Sequence, residues 1–236
     1  MSSSPALPPA LHGALDRPVW SALNGGHRQL ALGGPLAKRY PRDIGPFAAL
    51  ADDSAAAWEA LAALLLPGEA AMLVTPGAPA STAAGVTLTP LDPVLQMTAT
   101  QAPAPAALPF SVLGEADAPD MRALAALTNP GPFAQRTHEL GEFIGIREDG
   151  RLAAMAGERM RPTDAVEVSA VCVHPDHRGK AYARQLLAER TRRILAQGWQ
   201  PFLHVYPSNG AAIALYESLG YLVRAQLHLT RVVRDG

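Results

Sequence analysis

The chain has a single cysteine, Cys172, among 236 residues. One thiol can form neither an internal disulfide nor a thiolate metal site by itself, which fits a reducing compartment. An excess of charge of one sign is missing too. Lys and Arg number 20 against 21 Asp and Glu, so no global basic field points to nucleic acid or an anionic membrane. No apolar run reaches the length needed to span a bilayer. The stretch from Met1 to Arg17 is rich in Ser, Pro and Ala but lacks a basic start and an unbroken apolar core, so it does not read as a secretory signal. The seven histidines show no spacing with acidic or cysteine partners that would build a metal ligand set, and no Gly-x-Ser-x-Gly pattern occurs. The expectation is a cytoplasmic protein with no metal, no nucleic acid and no membrane partner.

What is present is apolar bulk, 48% of the residues, enough for one large or two small cores. The Pro/Ala-rich run Ala99 to Pro109 reads as a linker, dividing the chain into residues 1–105 and 106–236. In the first part, Ser54 caps a helix carrying Trp58, Leu61, Ala62 and Leu65 on one face, ended by Pro67-Gly68. Ala70 to Thr75 reads as a buried strand and Gln29 to Leu32 as a short one, with loops elsewhere.

The second part alternates more clearly. A strand at Phe110 to Gly114 precedes a helix capped by Asp117, and a second short helix is expected over Phe133 to Leu140. A hairpin follows, Glu142 to Arg147 and Arg151 to Met160, around Glu148-Asp149-Gly150. Next come a strand at Val166 to Val173, a helix from about Gly179 to Gln197, a strand at Pro201 to Tyr206, a helix at Asn209 to Leu219, and a last strand from Tyr221 to about Val233.

The strongest functional signal is the passage from the strand Val166 to Val173, through His174-Pro175-Asp176-His177, into Arg178-Gly179-Lys180-Ala181-Tyr182-Ala183. The first N–H groups of a helix lack internal partners and carry the positive end of the macrodipole, so they can bind a pyrophosphate. Small residues at 179, 181 and 183 admit it, and Arg178 and Lys180 add charge.

With the strand Glu167 to Val173 ahead and Phe202 to Tyr221 behind, the chain over about residues 110 to 230 resembles the GNAT superfamily of N-acetyltransferases, and more closely its FR47-like branch. The resemblance implies an α/β fold with a central mixed, splayed β-sheet flanked by helices. The first part is then a partial, degenerate GNAT-like domain, in a layout similar to that of glycine N-acyltransferase-like proteins. It implies acetyl-CoA, or another acyl-CoA, as co-substrate. The pyrophosphate signature of the family maps onto Arg178 to Ala183, with Ala181 where glycine is usual, and the contact is expected to extend to Arg184. The pantetheine arm is expected along Val171, Cys172 and Val173, with Asn209 and Ala212 beside it. Asn209 also reads as a plain helix cap.

The family's acid, which protonates the departing thiolate, corresponds to Tyr216; Tyr206 and Tyr182 are alternatives, and Tyr216 also reads as filler of a helix–sheet seam. Glu167 is the candidate base or substrate anchor, or else a strand partner for Arg159 or Arg161. His204 is a second base candidate, or a satisfied core histidine. Phe133 and Arg136 lie where the family forms one wall of the acceptor pocket, and Arg136 would suit an acceptor carboxylate. The implied activity is acetyl transfer to a primary amine of a small molecule or amino acid. A CoA-binding scaffold without chemistry and a protein N-terminal or lysine acetyltransferase are the rival readings, and a homodimer is a possible assembly.

Overall fold

A computed structural model of the chain describes residues 9–80, 83–105 and 107–236. Residues 1–8 of the stretch read above for a signal, and Ala106 within the proline-rich run, lie outside the described residues. Two short helices open the chain, α1 (Pro9–Asp16) and α2 (Pro18–Asn24). A three-stranded antiparallel sheet follows, made of β1 (Leu32–Gly33), β2 (Ala37–Arg39) and β3 (Ala48–Leu50). The strand expected over Gln29 to Leu32 is instead a 3-10 turn, Arg28–Leu30, with only Leu32 and Gly33 extended. Helix α3 (Ala55–Leu64) begins as read: the Ser54 side chain accepts from the Ala57 N–H at 3.3 Å, and Trp58 and Leu61 are buried.

The main sheet takes strands from both parts of the chain. They are β4 (Ala70–Thr75), β5 (Val86–Ala99), β6 (Ser111–Leu113), β7 (Phe143–Glu148), β8 (Arg151–Glu158), β9 (Ala165–Val173), β10 (Gln200–Val205) and β11 (Tyr221–Arg234). Their spatial order is β4-β11-β5-β10-β9-β8-β7-β6. The boundary drawn at 105/106 falls in the connection between β5 and β6, and the strands on its two sides belong to this one sheet. β5 is the strand that sequence periodicity hides, because Pro90 and Pro93 interrupt it. Both prolines lie where β5 pairs with β11 alone; β10 engages only Leu95 to Thr98, so the missing N–H groups cost no ladder bond on that side. Over residues 228–233, β11 is flanked by β4 and β5, so its edges there are not open to a second chain.

Side-chain alternation along β10 shows the layering. Leu203 and Val205 pack with Leu187 and Ile194 of α5 (Tyr182–Ala196) and with α6 (Gly210–Glu217) on one face. Phe202 packs with Leu15 and Val19 of α1 and α2 on the other. Helix α4 (Ala118–Thr128) covers Met155 and Cys172 with Met121 and Leu124. The second short helix expected at Phe133 to Leu140 is reduced to one 3-10 turn, Thr137–Leu140, since the preceding residues are spent on the loop Asn129 to Ala134.

His27 ties the first part to that turn. Its Nε2 donates to the Leu140 carbonyl at 2.9 Å and its Nδ1 accepts from the Tyr40 hydroxyl at 2.8 Å. Burial, against the opposing Leu140 bond, lowers its pKa from 6.5 to about 4. The folded state therefore binds its proton more weakly than the unfolded chain does. Stability is full above pH 6.5 and falls as pH drops through 4, by on the order of 3 kcal/mol. A His27→Gln variant should flatten the pH 4–6.5 limb of a denaturation-midpoint series.

Candidate active site

Two irregularities in neighbouring strands open the site. Between the pairs Met155–Cys172 and Gly157–Ser169, β9 carries one residue more than β8, and Ala170 sits at φ +52°. That bulge bends the end of β9. β9 and β10, the one parallel pair among the named strands, match only from Gln200–Ala165 to Phe202–Glu167. Beyond that point β10 turns to β5 on its far side, and the β10-facing backbone edge of Val171 to Val173 has no strand against it.

A cavity of about 920 Å³ occupies this gap. Val171, Ala183, Asn209, Ala212 and Tyr216 line one part of it. Phe133, Arg159 and His204 line another, together with Phe47, Met72, Val74 and Val94 from the first part of the chain. Phe47 and Met72 meet because they form a parallel bridge between β3's neighbour loop and β4. No carboxylate lines the cavity among the described residues.

The helix at its mouth begins later than the sequence suggests. Gly179 and Ala181 take positive φ, +80° and +59°, so Arg178 to Ala181 form a turn and α5 starts at Tyr182. Among the described residues no side chain caps it; the first intrahelical bond is Gln185 N–H to the Ala181 carbonyl, which leaves the N–H groups of 182 to 184 without an acceptor there. Arg178 and Lys180 are exposed at the rim, Lys180 Nζ lying 3.3 Å from His177 Nδ1. Ala181 is the alanine standing where the family pattern has glycine, and the left-handed conformation explains that preference. An Ala181→Gly variant should gain about 0.5–1 kcal/mol of stability, read as a higher denaturant midpoint at unchanged m.

Tyr216 lies half-buried on α6, and its hydroxyl has no hydrogen-bond partner among the described residues. Burial pushes its pKa above the usual tyrosine value, so it keeps its proton at neutral pH. Asn209 caps α6, its Oδ1 accepting from the Ala212 N–H at 3.2 Å. Tyr182 turns away from the cavity: its hydroxyl bonds Glu148, which removes it as an alternative donor. Cys172 points to α4, and burial raises its thiol to about 11. Arg184 bonds the Ser218 hydroxyl instead of facing the cavity.

Glu167 is fully buried and lies behind the cavity wall. Arg159 Nε donates to its Oε2 at 2.9 Å and Nη2 to Oε1 at 2.5 Å, and His204 Nδ1 donates to Oε1 at 2.7 Å. Burial alone would raise its pKa, but Arg159 and His204 outweigh it and hold the carboxyl down at about 2. The base role expected of Glu167 does not fit this environment, because both oxygens are occupied and the group has almost no proton affinity at neutral pH. His204 is held from the other side by Gln96 of β5, whose Nε2 lies 3.1 Å from His204 Nε2 and 2.9 Å from the Leu15 carbonyl it donates to. Gln96 Oε1 accepts from Arg224 at 2.7 Å, which fixes the amide's orientation. The His204 proton therefore sits on Nδ1.

Arg136, expected at the acceptor wall, is not there. Glu139 at 2.6 Å and Asp43 at 3.1 Å hold it outside the cavity. Phe133 does line the cavity, edge-on to Phe143 with ring centroids 5.8 Å apart. Arg159 was read from the sequence only as a strand partner of Glu167; Arg122, Phe47 and Gln96 were not found there, since α4, the residue before β3 and the register of β5 bring them to the site.

Residues 143–231 match the family model described as FR47-like protein. A Novosphingobium aromaticivorans protein, whose crystal structure is described as that of a member of the GNAT family, is 41% identical. It superposes with a TM-score of 0.86 over 94% of this chain and 99% of its own. The chain belongs to the GNAT family of N-acetyltransferases. This GNAT enzyme is also 33% identical over 106 residues to the ribosomal protein bS18-alanine N-acetyltransferase of Escherichia coli, covering 43% of this chain and 69% of that one. It is 34% identical over 100 residues to the N-alpha-acetyltransferase RimI of Mycobacterium tuberculosis, over 39% of this chain, and spans 62% of that relative's length. The splayed mixed sheet is thus the GNAT fold, and GNAT acetyltransferases use acetyl-CoA as co-substrate. Among the described residues no helix is long and apolar enough to cross a membrane.

Proposed function

We propose that this GNAT enzyme transfers the acetyl group of acetyl-CoA to a primary amine of a small molecule or amino acid by direct attack. The observation that carries the reading is the continuity of one cavity, from the uncapped start of α5 at Ala183, past the open edge at Val171, to the unpartnered hydroxyl of Tyr216. The N–H groups of 182 to 184, with Arg178 and Lys180, hold the pyrophosphate. The Val171 to Val173 backbone and Asn209 line the pantetheine path. The thioester supplies an activated acetyl carbon.

Tyr216 gives its proton to the departing thiolate. Arg122 and Arg159 face the acceptor with no carboxylate in the lining, which disfavours an ammonium and favours the neutral amine that attacks; the proton it sheds passes to water. Glu167 acts through others, fixing the Arg159 guanidinium and the His204 ring. A second reading, acetylation of a protein N-terminus, is favoured by the bS18-alanine substrate named for the E. coli relative. Thiol release from acetyl-CoA, measured with free amines, amino acids and an Ala-initiated peptide, tests both. Release with the small amines supports the first reading, release with the peptide alone supports the second, and release with none contradicts the transferase reading.

A further inference from the structure

The acceptor side of the cavity sets a few polar groups, Arg159, Arg122 and His204 among them, in a largely hydrocarbon wall. Arg159 spends Nε and Nη2 on Glu167, but no described residue accepts from Nη1. That nitrogen faces the loop after α4: a methyl built on Gly131 would stand 3.7 Å from it. The side chain is only 14% exposed, so the free donor belongs to the cavity rather than to bulk water. Its guanidinium lies over the Phe47 ring at 5.1 Å, and Met72, Val74, Val94, Met160 and Leu229 continue the same wall. Two guanidinium groups, of Arg122 and Arg159, line the cavity against one carboxylate, Glu167, buried behind it, so the wall is left net positive.

We infer that the acceptor is an amine carrying a carboxylate next to a hydrocarbon side group, an α-amino acid of apolar side chain, and that Arg159 Nη1 is the donor that reads the carboxylate. This deepens, and rests on, the acetyl-transfer reading. Glu167 takes the Nε/Nη2 edge of the guanidinium and thereby aims Nη1 at Gly131, a pre-set orientation that a flexible ammonium would not reproduce. An apolar wall beside a charge-assisted donor selects the pairing of side chain and carboxylate on one carbon. The arginine that the family resemblance suggests for this task, Arg136, is already neutralised by Glu139 and Asp43.

The test compares leucine, leucinamide and 3-methylbutylamine as acceptors for the wild-type enzyme, with kcat/KM corrected for the fraction of free amine. Leucine is expected to exceed 3-methylbutylamine on the order of 30-fold, the usual worth of a hydrogen bond to a charged group. In Arg159→Lys, which keeps a cation for Glu167 but loses the fork, that ratio should fall towards one whatever the variant's absolute rate. Equal rates on all three acceptors, or leucinamide matching leucine as a peptide N-terminus would, overturn the inference, and neither depends on a variant that folds. Calorimetric titration of acetyl-CoA into the same preparation separates the two levels. Acetyl-CoA binding without carboxylate preference removes only the role of Arg159, whereas no acetyl-CoA binding removes the transfer reading beneath it.

Discussion

Tyr216→Phe is expected to lower kcat about a hundredfold or more while leaving the KM for acetyl-CoA within a factor of two or so. The ring stays, so packing against Tyr221, 6.2 Å away between centroids, and the cavity wall are preserved. What goes is the one hydroxyl in the lining that is half-buried, unpartnered and held protonated by burial. Burial keeps the phenol protonated at working pH, so its proton is at hand as the C–S bond breaks and charge develops on sulfur, and the tyrosinate regains a proton from solvent before the next turnover. The exposed Tyr206 would be the alternative donor. A Tyr216→Phe enzyme with wild-type kcat, together with a Tyr206→Phe enzyme that loses it, would move the acid there.

Glu167→Ala has the largest expected effect on the fold, a loss of about 3–5 kcal/mol, because Arg159 and His204 would face an apolar interior without their shared carboxylate. For a chain of this length that lowers the melting midpoint by about 10 °C or more. The pH dependence carries the same signature. Glu167 has its folded pKa at about 2 against an ordinary 4.5, so its contribution is complete above pH 4.5 and is lost as pH falls towards 2. Glu167→Gln should lack that acid limb. If Glu167 were the general base, Glu167→Gln would instead keep its melting midpoint and lose kcat by two orders of magnitude or more. Thermal melts and steady-state rates on the two variants decide between these outcomes.

The second part of the chain was legible because its punctuation is local. Asn209 caps α6, Gly220 ends it, and the Asp149-Gly150 turn closes the hairpin, each by chemistry contained in a few residues. The first part was not, because its longest strand carries Pro90 and Pro93, and only the tertiary fact that one edge of β5 is unpaired there makes them harmless. The site divides the same way. The phosphate turn ahead of α5 could be read from its residues, and Tyr216 from the family resemblance. Arg159 was read only as a strand partner of Glu167, since nothing local to an arginine just after a strand shows that it lines the cavity. Arg136 was misassigned for the complementary reason: Asp43, 93 residues earlier, captures it. Even in the well-read loop, the sequence placed Ala181 inside a helix, whereas its φ of +59° makes it the last residue of the turn.

The measurement closest to the centre of this reading is a calorimetric titration of acetyl-CoA into the wild type and an Ala183→Glu variant. Ala183 lines the cavity in the first turn of α5. A carboxylate there interacts favourably with the helix's own unpaired N–H groups, so the variant should fold at least as well, while its charge competes with and repels the pyrophosphate. Binding by the wild type, reduced a hundredfold or more in the equally stable variant, is the expected result. Undiminished binding in Ala183→Glu, or no binding by folded wild type, would contradict an acyl-CoA site at the start of α5.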